Sequence, residues 1–333
     1  MIELWHDMRR RGRWLVVILL ASLIAAPLLA DRYLLSVLTL MLYLAYVGQS
    51  WNLMMGYSGQ LSLGHALYVG IGAYVSALLW LNFGIGPWAS VFVAVVLAAA
   101  CGAVIGWLGF RFGIEGVYFA LLTIAFAEFT RIAFDNLDFT GGAGGLFIPY
   151  EEKRIGEWWN LRGGQLMFYY VALLLASAAV LVTAWLARSR LGYQWMAVRE
   201  DEAAARALGI DSFRAKMKAV LISSAMTAIG GVFYAFYSNT LFPSQAFDMN
   251  RSIEIIMGPI VGGLGTVFGP VVGAFILTPL GEGLIAVTEK LGINAPGTKA
   301  VFYGLMLMVI ITLRPSGVWP WLVRVFGLTG RKR

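Results

Sequence analysis

Charge is scarce in this sequence. Asp, Glu, Lys and Arg together make up 13% of its 333 residues, against about 25% in an ordinary soluble domain. Cysteine occurs once, as Cys101 inside an apolar run, so no intrachain disulfide can form. Histidine occurs twice, and His6, His65 and Cys101 make no ligand cluster for a metal. No Gly-Lys dipeptide occurs anywhere. The phosphate-cradling loop of nucleotide-driven enzymes therefore cannot be built, and any ATP must bind to another chain. No chain of carboxylates and histidines offers a proton relay, which argues against a secondary pump.

What is abundant is apolar surface. Hydrophobic residues make up 59% of the chain, gathered in runs of about 20 residues, each able to cross a bilayer core of about 30 Å. The expected fold is an all-α polytopic membrane protein of about ten transmembrane segments. They lie near 14–29, 33–48, 61–81, 87–109, 115–134, 166–187, 216–237, 253–263, 268–287 and 298–313. The eighth reads as short or broken, because Gly258-Pro259 and Gly269-Pro270 interrupt the pattern there. The first follows a basic stretch, as a signal peptide would, but the next run starts almost at once at Tyr33, so it reads as a retained helix.

A net charge of +7 could point to nucleic acid, but the cations sit at loop ends and not on one basic face, so they read as topology determinants. With the N-terminus inside, the cytoplasmic segments hold Arg9, Arg10, Arg11, Arg13, Arg111, Arg188, Arg190, Arg199, Arg206, Arg214, Lys216, Lys218, Arg314, Arg324, Arg331, Lys332 and Arg333. That is most of the 25 cations. The division is a cytoplasmic tail at 1–13, a membrane domain at 14–313 and a cytoplasmic tail at 314–333. The external connection at 135–165 contains the turn-rich Gly141-Gly142-Ala143-Gly144-Gly145 and the cations Lys153, Arg154 and Arg162.

Residues 188–218 form the one long polar run with a helical pattern. A short helix is expected from Arg199 to Leu208, with Glu200, Asp201 and Glu202 in its first turn, where the helix dipole favours negative charge. Glu202 and Arg206 are spaced i, i+4 with the acid first. Gly209 ends the helix, and Asp211 or Ser212 caps the next. Ala203, Ala204 and Ala207 make a small-residue patch suited to docking into another protein's groove. A solvated connecting loop is the other reading.

Polar side chains at membrane depth are costly and read as functional by default. Glu115 and Glu254 fall at segment ends, and Glu128 with Arg131, spaced i, i+3, can neutralise one another. Gln60, Ser62, His65 and the nearby Tyr68 lie on a glycine-rich segment and are candidates for lining a translocation path. Helix-to-helix hydrogen bonding is the alternative for them. Gly56-Tyr57-Ser58-Gly59 followed by His65 resembles a serine nucleophile and its base. On one helix those seven residues would span about 10.5 Å, whereas the pair must approach to about 3 Å. The glycine spacings Gly265, Gly269, Gly273 and Gly102, Gly106 allow close helix packing in lipid.

Several stretches resemble a known family when taken together. NLMMGYSGQLSLGHALYVGIGAYVSALL, GIEGVYFALLTIAFAEFTRI, TGGAGGL, AVREDEAAARALGID and VGGLGTVFGPVVGAF follow one another as in the LivM-type permeases of branched-chain amino acid ABC importers. The resemblance runs from about Asn52 to Gly273. It implies a non-enzymatic subunit of the bacterial cytoplasmic membrane, with both termini inside. The implied partners are a second related permease, two ATPase subunits carrying ATP and Mg, and an external substrate-binding protein, with no nucleic acid. The family's coupling helix, which docks on the ATPase, maps onto Arg199, Glu200, Asp201, Glu202, Ala203, Ala204, Arg206, Ala207 and Gly209. ABC permeases place three residues between Glu-Ala-Ala and Gly; here Glu202-Ala203-Ala204 is followed by four before Gly209. Aliphatic amino acids are the implied cargo. Urea, short amides or another small solute remain as alternatives, as does a free-standing channel or carrier.

Overall fold

A computed structural model describes residues 10–149, 160–290 and 297–326. The expected basic tail up to residue 9, Lys153 and Arg154 of the external connection, and the last cations, Arg331, Lys332 and Arg333, lie outside the described residues. Helices account for most of the described residues. They are α1 (Arg10–Ala25), α2 (Arg32–Asn52), α3 (Ala66–Phe83), α4 (Pro87–Arg111), α5 (Val117–Asn136) and α6 (Gln165–Ala187). Then follow α7 (Arg190–Glu200), α8 (Glu202–Ala207), α9 (Ser212–Ser238), α10 (Pro243–Ala246), α11 (Met249–Gly262), α12 (Gly269–Lys290), α13 (Thr298–Leu313) and α14 (Val318–Phe326). The strands β1 (Leu146–Phe147) and β2 (Thr240–Leu241) pair antiparallel, Leu146 against Leu241.

Helices stand at all ten expected positions, but among the described residues seven are long and apolar enough to cross a membrane. Val17–Leu28 and Ala300–Ile310 are shorter apolar helices. Helix α11 has 14 residues with Pro259 inside it, about 21 Å at the usual rise, which makes it the short piece expected near 253–263. The third segment differs from expectation. Helix α2 runs on into a π turn at Leu53–Tyr57, residues 58–65 are irregular, and helix resumes only at Ala66. The expected C-terminal tail also carries a helix, α14, whose Trp319 packs on Phe268 with ring centroids 5.1 Å apart.

The chain divides into two compact units. One comprises residues 50–167 and 189–256, and its centre is α9 packed along α3 and α4. Small residues permit that packing. A methyl on Gly231 of α9 would strike the Val69 carbonyl of α3, and one on Gly72 would strike the Ala228 carbonyl of α9. Backbones in such contact gain dispersion energy that lipid tails cannot replace. Gly102 of α4 faces the Ser224 side chain in the same way. Around this crossing Trp51, Tyr68, Tyr74, Phe119, Phe236 and Phe247 are fully buried. Arg162, expected in the external connection, is buried: it donates to Asn239 Oδ1 at 2.7 Å and lies 5.4 Å from the ring centroids of both Trp80 and Phe236.

The other unit comprises residues 1–49, 168–188 and 257–333. Tyr169 of α6 donates to the Leu23 carbonyl of α1 at 2.5 Å, and Tyr170 to that of Ile24 at 3.2 Å. Here the glycine spacing noted in sequence acts at a helix hairpin. Methyl groups on Gly262 and Gly273 would run into the backbone carbonyls of Gly269 and Gly258, so the end of α11 and the start of α12 touch through their main chains.

Candidate functional site

Two neighbouring features of the first unit carry the candidate site residues: the polar segment from α7 to α9, and the irregular stretch before α3.

The polar segment folds from strong local signals. Ser189 caps α7 by accepting from Gly192 N, and Trp195, fully buried, donates its indole N–H to the Ala215 carbonyl at 2.8 Å. The single helix expected from Arg199 to Leu208 is two helices. Arg199 and Glu200 end α7, and Asp201 breaks the chain in extended conformation (φ −156°, ψ 107°). Its carboxylate accepts from Ala204 N at 2.9 Å, capping α8. A carboxylate at an N-cap satisfies an orphan N–H and also meets the positive end of the dipole. Gly209 ends α8 at φ +85°, with Gly209 N donating to Arg206 O and Ile210 N to Ala205 O, the paired bonds of a Schellman turn. Asp211, the first of the two expected caps, then caps α9 by accepting from Arg214 N at 3.0 Å.

The side chains divide by direction. Ala203, Ala204, Ala207 and Gly209 are exposed, and Leu208 stands out at 82% exposure. Leu208 had no place in the sequence-based patch, although a leucine beside a helix-ending glycine at a polar tip is a visible signal. Glu202 instead turns inward. It pairs with Arg206, as the spacing predicted, and with Lys216 of α9, whose side chain is 6% exposed. Lys216 also reaches Glu115 at 3.3 Å, giving that residue a partner. Burial alone would raise the Glu202 carboxyl, but hydrogen bonds from Lys216, Ser212 and Arg206 outweigh it and hold the group below the usual carboxylate range. Glu202 is thus an anchor under the exposed tip. Arg199, although exposed, donates from Nη1 to the Gly56 carbonyl in the π turn that follows α2.

That π turn opens the second feature. Residues 58–65 have no helical ladder, so their polar groups must find other partners. Gln60 N donates to Met54 O at 3.0 Å, and its side-chain amide donates to Ser58 O at 3.0 Å. Trp51 donates to Ser62 O at 2.7 Å, Thr123 Oγ1 accepts from Leu63 N and Gly64 N, and Ser252 Oγ accepts from Ala66 N at 2.9 Å. His65 lies 3.1 Å from Ser223 Oγ through Nε2 and 3.4 Å from Ser62 Oγ through Nδ1, while Ser223 donates to the Ser50 carbonyl at 2.7 Å. Tyr68 packs edge-on against the His65 ring at 5.3 Å. Gln60, Ser62, His65 and Tyr68 are all buried. Hydrogen bonds fix Gln60, Ser62 and His65 in this arrangement, and Tyr68 adds a ring contact. Both ring nitrogens of His65 are held by Ser62 and Ser223, and Ser58 is not among their partners, so the protease-like spacing assembles no nucleophile–base pair. Thr123, Ser223 and Ser252 were missed from sequence, being single polar residues on other elements.

The family of branched-chain amino acid transport system permease components matches residues 33–311. The high-affinity branched-chain amino acid transport system permease protein LivM of Escherichia coli K12 is 29% identical over 92% of this chain and 74% of its own length. A probable branched-chain amino acid permease LivM from Methanocaldococcus jannaschii is 25% identical, covering 82% of this chain and 89% of its own. The E. coli permease LivH, of the same transport system by name, is 23% identical over 82% of this chain and 90% of its own. No solved structure matches. With a polytopic helical fold and a match across nearly all of its membrane helices, the chain belongs to the branched-chain amino acid transport system permease family.

Proposed function

We propose that this chain is the membrane-spanning permease subunit of an ATP-driven importer that passes leucine, isoleucine, valine or other aliphatic amino acids from an external binding protein to the cytoplasm. The observation that carries the reading is the α7–α9 segment: an exposed tip of Ala203, Ala204, Ala207 and Leu208 on a base fixed by Glu202 and Lys216. A helix of six residues is not stable alone in water; here capping and the buried ion pair hold it ready to enter a partner's groove. Two ATPase subunits, binding ATP and Mg, are the proposed partners at this tip. The similarity to proteins named LivM and LivH supports pairing with a second, related permease.

The proposed arrangement is ten crossings in a bacterial cytoplasmic membrane, with both termini and residues 188–218 inside and the 135–165 connection outside. Gln60, Ser62, His65 and Tyr68 act as the buried frame beside the solute path. They brace the break before α3 against α9, and Arg199 ties that break to the docking segment. A docked ATPase can therefore pull on the frame through the contact between Arg199 and Gly56. The test is reconstitution of the complex that co-purifies with this chain, supplied with its binding protein and ATP. Uptake of radiolabelled leucine or valine above that of urea and acetamide is expected. Robust urea uptake without leucine uptake would assign the urea alternative.

A further inference from the structure

Helix α5 carries three charged residues in its C-terminal half. Glu128, Arg131 and Asp135 recur along its C-terminal half, and Arg131 joins all three. Its Nε donates to Glu128 Oε2 at 3.0 Å, its Nη2 to Oε1 at 2.5 Å, and its Nη1 to Asp135 Oδ2 at 2.8 Å. A guanidinium has five N–H groups, so donors remain after these bonds. One cation against two carboxylates leaves the trio net negative.

The Glu128 side chain is 50% exposed. It lies on a stripe with Tyr118, Leu121, Ala125 and Ile132, all exposed. Eight residues separate it from Asn136, about 12 Å along the helix, well inside an apolar span about 30 Å long. Arg131 is long enough to snorkel toward the interface, but the short stem of Glu128 is not. A carboxylate at that depth is costly against hydrocarbon and by default faces a cavity or the interior of a bundle. The contrast with α4 is direct: its exposed Phe92, Val96, Val104 and Trp107 carry no charge, as a lipid-facing surface requires.

We propose that the exposed stripe of α5 lines the solute path, and that Glu128 and Arg131 receive the ammonium and carboxylate of a zwitterionic amino acid. Leu121 and Ile132, one turn or two to either side, offer apolar contact to an aliphatic side chain. The pair is complementary to a zwitterion in both signs. Because it is satisfied when empty, it need not hold the solute tightly. The assignment rests on the importer reading.

The test uses the whole complex in a Cys101→Ala background, with single cysteines at Ala125, Ile132 and, as a lipid-facing control, Phe92. A membrane-impermeant thiosulfonate should modify Ala125→Cys and Ile132→Cys, and leucine-loaded binding protein with ATP should change their rates at least fivefold. Phe92→Cys should react only with a lipid-soluble maleimide. If Ala125→Cys and Ile132→Cys behave like Phe92→Cys, or react in this chain alone but are shielded in the complex whatever the solute, the stripe is a lipid face or a subunit interface and the proposal is wrong. Glu128→Gln and Arg131→Gln should each lower leucine uptake at least tenfold with unchanged co-purification. Wild-type uptake in either variant overturns the solute assignment. A wild-type complex that takes up no leucine would instead sink the importer's substrate, while the labelling still decides what α5 lines.

Discussion

Glu202 shows at residue scale how a local rule and a distant partner combine. Its pairing with Arg206 follows from i, i+4 spacing and so was legible in the sequence, as were the Asp211 cap and the Gly209 stop. Lys216 was not legible as its partner, because nothing in a linear pattern says which face of α9 the short helix folds against. The pair nevertheless dominates, since Lys216 is buried and has carboxylates as its partners. Lys216→Met leaves Glu202 half-satisfied and should destabilise the segment by on the order of 3 kcal/mol. Limited proteolysis should then cut between α7 and α9 much faster than in the wild type. The pH dependence has a definite sign. The folded-state pKa of Glu202 is lowered, so its stabilisation is complete above the unfolded value and is lost as pH falls through the lowered one. Protection of the segment should therefore persist through mildly acidic pH and fail only below the ordinary carboxylate range. In Glu202→Gln the protection should be weaker and should depend less on pH over that range.

Helix positions were legible from apolar periodicity, but two interruptions were not. Asp201 splits the expected helix because a capping carboxylate competes with continuation. The 58–65 break persists because Thr123, Ser223 and Ser252 supply bonds from other elements. The same long-range bonding holds His65 between Ser62 and Ser223. The glycine spacings were readable as packing, though not which helix would fill each gap. Gly231→Ala tests the crossing of α9 over α3. Propensity alone would favour alanine by about 1 kcal/mol. The new methyl meets a fixed backbone carbonyl, however, and overpacking of about 1–3 kcal/mol should win. Gly304→Ala in α13, with open space around its new methyl, should be neutral or stabilising. Thermal unfolding in detergent distinguishes the two. A lower midpoint in both variants would mean that packing is not what selects the glycines.

For the whole molecule, charge placement gives an orientation that labelling can test. Gly144 has open space for a side chain, and the Arg214 side chain is 79% exposed. In Cys101→Ala cells, Gly144→Cys should react with an impermeant maleimide from outside, and Arg214→Cys only after the membrane is opened. Reaction of both from outside would remove the cytoplasmic placement of residues 188–218.

If an ATPase drives this chain through the α8 tip, leucine uptake must depend on both ATP and that tip. Leucine uptake is measured in proteoliposomes containing the complex, with and without internal ATP, for wild type and Ala204→Asp. An unpaired charge buried in a docked surface costs on the order of 3 kcal/mol, about a hundredfold in affinity. The exposed position of Ala204 leaves the membrane fold intact. ATP-dependent uptake by the wild type is expected, with loss of both uptake and ATPase co-purification in Ala204→Asp. Uptake by this chain without any ATPase, or full ATP-driven uptake by Ala204→Asp, would contradict the account.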